Sequence, residues 1–144
     1  MGSEDPYNLE RFVQAQDGVF DGACAELRNG HKVGHWMWFI FPQFAGLGSS
    51  GMSRKYAIAS VEEARAYLAH PVLGARLREV CGLVGLLKGR SMSDVFGYPD
   101  DLKLRSSMTL FAHATAENDL FVGIIREFFD GEFDRRTLEL MGLT

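Results

Sequence analysis

Leu73, Leu77, Val80, Val84 and Leu87 step along the chain by four, three, four and three. That spacing keeps one face of an α-helix apolar, and it is the strongest period in the sequence. Gly89 lies just past it, where a helix commonly ends on glycine. Upstream, Ser60-Val61-Glu62-Glu63 reads as a capping box, followed by Val61, Ala64 and Leu68 at helical steps and stopped at His70-Pro71. Nearer the start, Asp5 with Pro6 predicts an N-cap and a first helical position. Leu9, Phe12, Val13 and Phe20 supply an apolar face, broken at Asp17-Gly18. Phe20, Cys24 and Leu27 define a second short helix ending at Asn29-Gly30.

Downstream the pattern repeats. Ser91-Met92-Ser93-Asp94 opens a short helix carrying Val95 and Phe96. Pro99-Asp100-Asp101 opens a longer one with Leu104, Met108 and Phe111 inward. Asn118 or Asp119 opens the next, with Phe121, Ile124, Ile125 and Phe128 inward and Asp130-Gly131 at its end. Asp134 caps a last turn or two with Leu138 and Met141 apolar. Polar/apolar alternation over a strand length is nearly absent, and β-branched residues are few. The expected class is all-α: residues 1–144 as a single compact multi-helix domain, an irregular helical array with short connections. The long irregular stretch is Pro42 to Ser53, a length at which loops are often functional.

Composition narrows the classes. Apolar residues make up 47% and charged residues 24% of 144 residues, which excludes a disordered chain. A net charge of −4 argues against duplex nucleic acid as a partner. The longest apolar run, Trp36 to Phe41, is far short of the roughly 20 residues a membrane helix needs. The acidic start Glu4-Asp5 has no signal-peptide core, so a cytoplasmic location is expected. Two cysteines, Cys24 and Cys81, sit in apolar contexts that suit reduced, buried thiols. No metal is expected: His31 and His35 have helical metal-pair spacing, but Gly30 and Gly34 break the helix and no third ligand follows. No cofactor is expected either.

Three segments carry candidate chemistry. His35-Trp36-Met37-Trp38-Phe39-Ile40-Phe41-Pro42-Gln43 holds both tryptophans. Most of that apolar surface must be buried in a helix or strand. Its polar edges are the candidates: His35 and Gln43 as hydrogen-bonding groups, Trp36 and Trp38 as stacking surfaces. Gly46-Leu47-Gly48-Ser49-Ser50-Gly51 has the letters of a dinucleotide fingerprint, but a helical chain lacks the strand–helix–strand frame. It reads as a surface loop, with an anion nest as the alternative and Arg54 and Lys55 close by. In the helix from Asp100, the residues Asp101, Lys103 and Ser106 could face a ligand. The plain alternative is acids favouring the helix dipole and hydroxyls bonding back one turn.

At these segments the chain resembles the bacterial and fungal domain-of-unknown-function 1810 family. The resemblance runs from Tyr7-Asn8-Leu9-Glu10-Arg11-Phe12 to Asp134-Arg135-Arg136-Thr137-Leu138. Its most specific pieces are His35 to Gln43 and Lys103-Leu104-Arg105-Ser106-Ser107-Met108-Thr109-Leu110-Phe111, without departure in either. Members are often labelled calpastatin, which does not suit a compact, apolar-rich chain. The resemblance implies an all-α, somewhat horseshoe-like fold and no established activity.

The leading expectation is a domain binding a small ligand, phosphate- or nucleotide-bearing, through His35, Trp36, Trp38, Gln43, Asp101, Lys103 and Ser106. The aromatic segment is expected to pack beside the Lys103 helix so that these polar edges share a cleft. The alternatives are a protein-interaction module without chemistry, and a small enzyme using His35 as acid or base. Leu77, Val80, Val84, Phe111, Ile124, Ile125 and Phe128 are expected to be almost fully buried. Truncating Leu77 or Val84 to alanine should cost about 2–4 kcal/mol, read from denaturant midpoints.

Overall fold

The computed structural model describes residues 4–144. Among them are ten helices: α1 (Glu10–Gln16), α2 (Phe20–Arg28), α3 (Met37–Ile40), α4 (Gly51–Lys55), α5 (Val61–Ala69), α6 (Leu73–Gly85), α7 (Met92–Phe96), α8 (Asp100–Ala114), α9 (Asp119–Phe128) and α10 (Arg135–Leu140). The only pairing of β type among the described residues is an isolated parallel bridge, Phe44 to Ile58.

Helix α8 is the axis. It packs against α5, α7, α9 and α10, while α6 packs against α2, α5 and α9. Its inward face, with Leu104, Met108 and Phe111, is fully buried. Cys81 of α6 reaches Met108 of α8 at 3.7 Å; Leu77, Val80 and Val84 of α6 are buried in the same core, and α9 adds Ile124 and Ile125. Phe128 differs from expectation: it is only half-buried. It lines a shallow groove where α6 offers Gly85, which has no side chain to cover the ring. A chain of tilted and edge-on ring contacts runs from Phe12 through Tyr67 and Phe111 to Phe121.

The start also differs. Asp5 does not cap a helix begun by Pro6. Residues 6–9 form turns, with Asn8 at φ +51°, and α1 begins at Glu10. The Asp5 carboxylate instead accepts from the amides of Leu9 and Glu10, which α1 would otherwise leave unpaired. The capping box of α5 is likewise rearranged. Ser60 caps the Glu63 amide as expected, but Glu63 reaches the amide of Ala59. Its other oxygen pairs with Arg11 at 2.9 Å. Cys24 and Cys81 are both free and buried, and burial pushes the Cys81 thiol far above its ordinary range.

The turn from α5 into α6 depends on a glycine. A Cβ on Gly74 would lie 2.1 Å from the carbonyl oxygen of Leu68, whereas one on Gly82, eight residues along the same helix, would meet open space. Gly74→Ala should therefore destabilise by about 1–3 kcal/mol, the range of a forced overpacking. Gly82→Ala should stabilise by up to about 1 kcal/mol, because it only removes backbone freedom from the unfolded chain. Paired urea melts check the opposite signs.

Candidate functional site

The aromatic segment is built from its buried members outward. Met37, Phe39, Ile40 and Phe41 go into the core. Trp36 follows them, 2% exposed, tilted against Phe41 and edge-on to Phe96. An indole N–H in such a place needs an acceptor. Glu26, on α2, provides it: one carboxylate oxygen accepts from Trp36 Nε1 at 3.0 Å and from the amides of Val33 and Gly34 at 2.7 and 2.9 Å. Burial works to raise the Glu26 pKa. The Gly34 and Val33 amides and the indole outweigh it and hold the carboxyl below its ordinary 4.5. No sequence motif pointed to Glu26, because its three donors lie seven to ten residues downstream on an irregular segment.

That segment also delivers Lys32. Its ammonium pairs with Asp100 at 2.8 Å and lies 4.9 Å from the Trp36 ring centroid. Asp100 is shared, since Lys103 pairs with its other oxygen at 3.2 Å. Lys103 in turn sits 5.0 Å from the ring centroid of the half-buried Trp38. Two cations thus share one carboxylate, each resting on a tryptophan face, a placement that favours a cation over a neutral group.

On the other side of Lys103 lies a cleft of about 230 Å³. Gln43, Leu47, Gly48 and Ser53 form one wall; Pro99, Leu102, Lys103 and Ser106 form the other; Asp134 and Arg136 close the end. An adjoining lobe of about 150 Å³ shares the first wall and adds Arg54. The wall holds its shape locally. Gly46 has φ +103°, and a Cβ on Gly48 would lie 2.5 Å from Ser53 Oγ. Ser50 caps α4, a helix that the sequence pattern did not predict because its five residues carry no apolar face. Hydrogen bonds from Ala45 N to Ile58 O and from Ile58 N to Gln43 O close the base of the loop.

The hydroxyls of α8 bond back one turn, Ser106 to Leu102 O and Thr109 to Arg105 O. They also anchor α10. Thr109 Oγ1 accepts from the Asp134 amide, and Ser106 Oγ lies 3.2 Å from the Asp134 carboxylate. That carboxylate also accepts from the amide and hydroxyl of Thr137. Its charge is therefore taken up by the start of α10, while Lys103 and Arg136 line the cleft, paired with Asp100 and Glu139, and Arg54 lines the adjoining lobe.

Of the seven candidate residues, Gln43, Lys103 and Ser106 meet in this cleft, and Trp38 supports Lys103 from behind. His35 is exposed and does not line it. Trp36 is a core residue with its indole satisfied by Glu26. Asp101 points elsewhere than the cleft, with Oδ1 buried and without a hydrogen-bond partner, as is the Oγ of Ser107. Among the described residues, no group of three or more His, Cys, Asp or Glu could hold a metal ion. No helix there is long and apolar enough to cross a membrane.

An all-helical domain with a pinned glycine-rich loop against a Lys/Ser helix defines the class. A family model described as "Protein of unknown function (DUF1810)" matches residues 6–141, and the chain belongs to that family. Among solved structures, the crystal structure of the conserved hypothetical protein Rv1873 from Mycobacterium tuberculosis is similar, at 54% identity and a TM-score of 0.95. The match covers 97% of this chain and 100% of that one. No curated protein matches the chain.

The Glu26 clamp yields a pH-dependent expectation. A carboxyl whose pKa is lowered on folding contributes stability above its unfolded value and loses it as pH falls through the folded one. Glu26→Gln should cost about 2 kcal/mol at pH 7, in the range for hydrogen bonds to a charged acceptor. The gap between variant and wild type should narrow as the pH falls below 4.5, read from urea midpoints at each pH.

Proposed function

We propose that the protein binds a small phosphate-bearing ligand, of nucleotide size, in the cleft between the glycine-rich loop and α8. The observation that carries the reading is the meeting of Gln43, Gly48, Lys103, Ser106 and Arg136 around one cavity whose only carboxylate, Asp134, is already engaged. A phosphate would face Lys103 and Arg136 across the mouth, with the amides of the loop as further donors. Lys103 is pre-positioned by Trp38 and Asp100, so little side-chain freedom remains to be lost on binding. Gln43 offers a donor and an acceptor to a base or sugar edge. Exposed Leu102, beside Pro99, adds an apolar rim on the α8 side. Such a ligand suits a cytoplasmic protein with reduced thiols, and the acidic net charge sets duplex nucleic acid aside as a partner.

The test is a titration with ADP, pyrophosphate and adenosine, followed by the amide resonances of residues 46–49 and by Trp38 fluorescence. ADP and pyrophosphate should saturate, and adenosine should bind far more weakly. Lys103→Ala should weaken ADP about ten-fold, the worth of one charge-assisted hydrogen bond, at nearly unchanged melting temperature because Lys32 still neutralises Asp100. Loop amides and Trp38 emission that ignore both phosphates would overturn the reading.

A further inference from the structure

A cleft larger than the one beside Lys103 lies at the other end of α8. It has a volume of about 600 Å³ where α5 and α8 end and α6 passes. Two arginines line it, Arg65 from α5 and Arg78 from α6. Each uses one nitrogen to hold a helix end: Arg65 Nε donates to Ala114 O at 2.9 Å, and Arg78 NH1 donates to Leu68 O at 3.1 Å. Neither forms a salt bridge among the described residues, unlike Arg11, Arg28, Arg76, Arg135 and Arg136. Both side chains are exposed, and each anchor engages one nitrogen and leaves the remaining N–H donors open.

The rest of the lining agrees. The Thr115 hydroxyl oxygen accepts from the Glu117 amide, which leaves its own proton free to donate. His113 Nδ1 donates to the Thr109 carbonyl, so Nε2 of the neutral ring is an acceptor, which suits the hydroxyl of a monoprotonated phosphate. Glu117 is the one carboxylate in the lining; it is exposed and pairs with neither arginine. Two guanidinium groups lining one open cleft match a tetrahedral group with several acceptor oxygens better than a single carboxylate, which one fork satisfies.

We propose that this cleft is a second ligand site, which takes the phosphate group of a small molecule on Arg65 and Arg78. It shares no residue with the cleft beside Lys103. Ten residues of α8 separate Lys103 from His113, about 15 Å along the helix axis, so the two sites stand or fall separately.

Inorganic phosphate is the probe, titrated at constant ionic strength into the intact protein and followed by the amides of Thr115, Ala116 and Glu117. Saturable shifts are expected, weakened about ten-fold by Arg65→Gln or Arg78→Gln, as for loss of a charge-assisted bond. Because those arginines also hold helix ends, two rim variants carry the test without touching them. Ala116→Glu should weaken phosphate by about ten-fold and Glu117→Gln should tighten it a few-fold, through local charge alone. Lys103→Ala should leave this binding unchanged. Equal affinity in Ala116→Glu, Glu117→Gln and wild type would overturn the proposal, as would saturation by acetate or chloride as tight as by phosphate.

Discussion

Arg11 is the joint on which the first half of the molecule turns. Its guanidinium makes five hydrogen bonds, to the carbonyls of Tyr7, Asn8, Lys55 and Ala57 and to the Glu63 carboxylate. Only an arginine presents five donors in a fixed fork, and a lysine has neither the number nor the geometry. Two irregular segments and three helices, α1, α4 and α5, thereby meet at one cation. The Glu63 side chain is 5% exposed, so without Arg11 a nearly dry carboxylate would stand uncompensated, a loss of about 3–5 kcal/mol for such pairs. The same carboxylate fixes the Ala59 amide, so the entry to α5 and the return of the glycine-rich loop share one electrostatic support.

Polar groups on α8 do comparable work for the second half. A helix interior seldom hosts this many hydroxyls, since they compete with the backbone. Here they link layers: Ser106 and Thr109 hold the start of α10, and Asp100 gathers two lysines from different parts of the chain. The helix is therefore apolar toward α5 and α9 and wired toward α10 and the residue 32–38 segment. The cleft beside Lys103 borders that wired surface, and the other lies near the far end of the helix against α5 and α6.

Helix positions were legible because they rest on short-range signals. The steps through Leu77, Val80 and Val84, the serine caps at Ser60 and Ser91 and the aspartate cap at Asp134 all act within four residues. What was not legible depends on partners far apart in sequence. Gln16 looks like a surface residue, yet it is buried and donates to Phe39 O and Tyr67 Oη. Glu26 and Arg11 give no hint of their roles in spacing. Gln43, Lys103 and Ser106 could be singled out by type, and their meeting in space follows from how α3 and α8 pack. Arg65 and Arg78 went unnoticed because a lone arginine on a helix is ordinary until its neighbours are known.

The parallel bridge between Phe44 and Ile58 is a single pairing in a helical protein, yet it changes what the intervening chain is free to do. Two backbone hydrogen bonds shut the neck of the segment, so its ends stay fixed whatever lies between. Closing a loop costs little more as it lengthens, growing only with the logarithm of its length. The stretch from Gly46 to Ala57 is in that sense a cassette. Relatives could lengthen, shorten or recharge its tip while α3, α5 and the aromatic core keep their places, and the cleft beside α8 could be reshaped without a new fold.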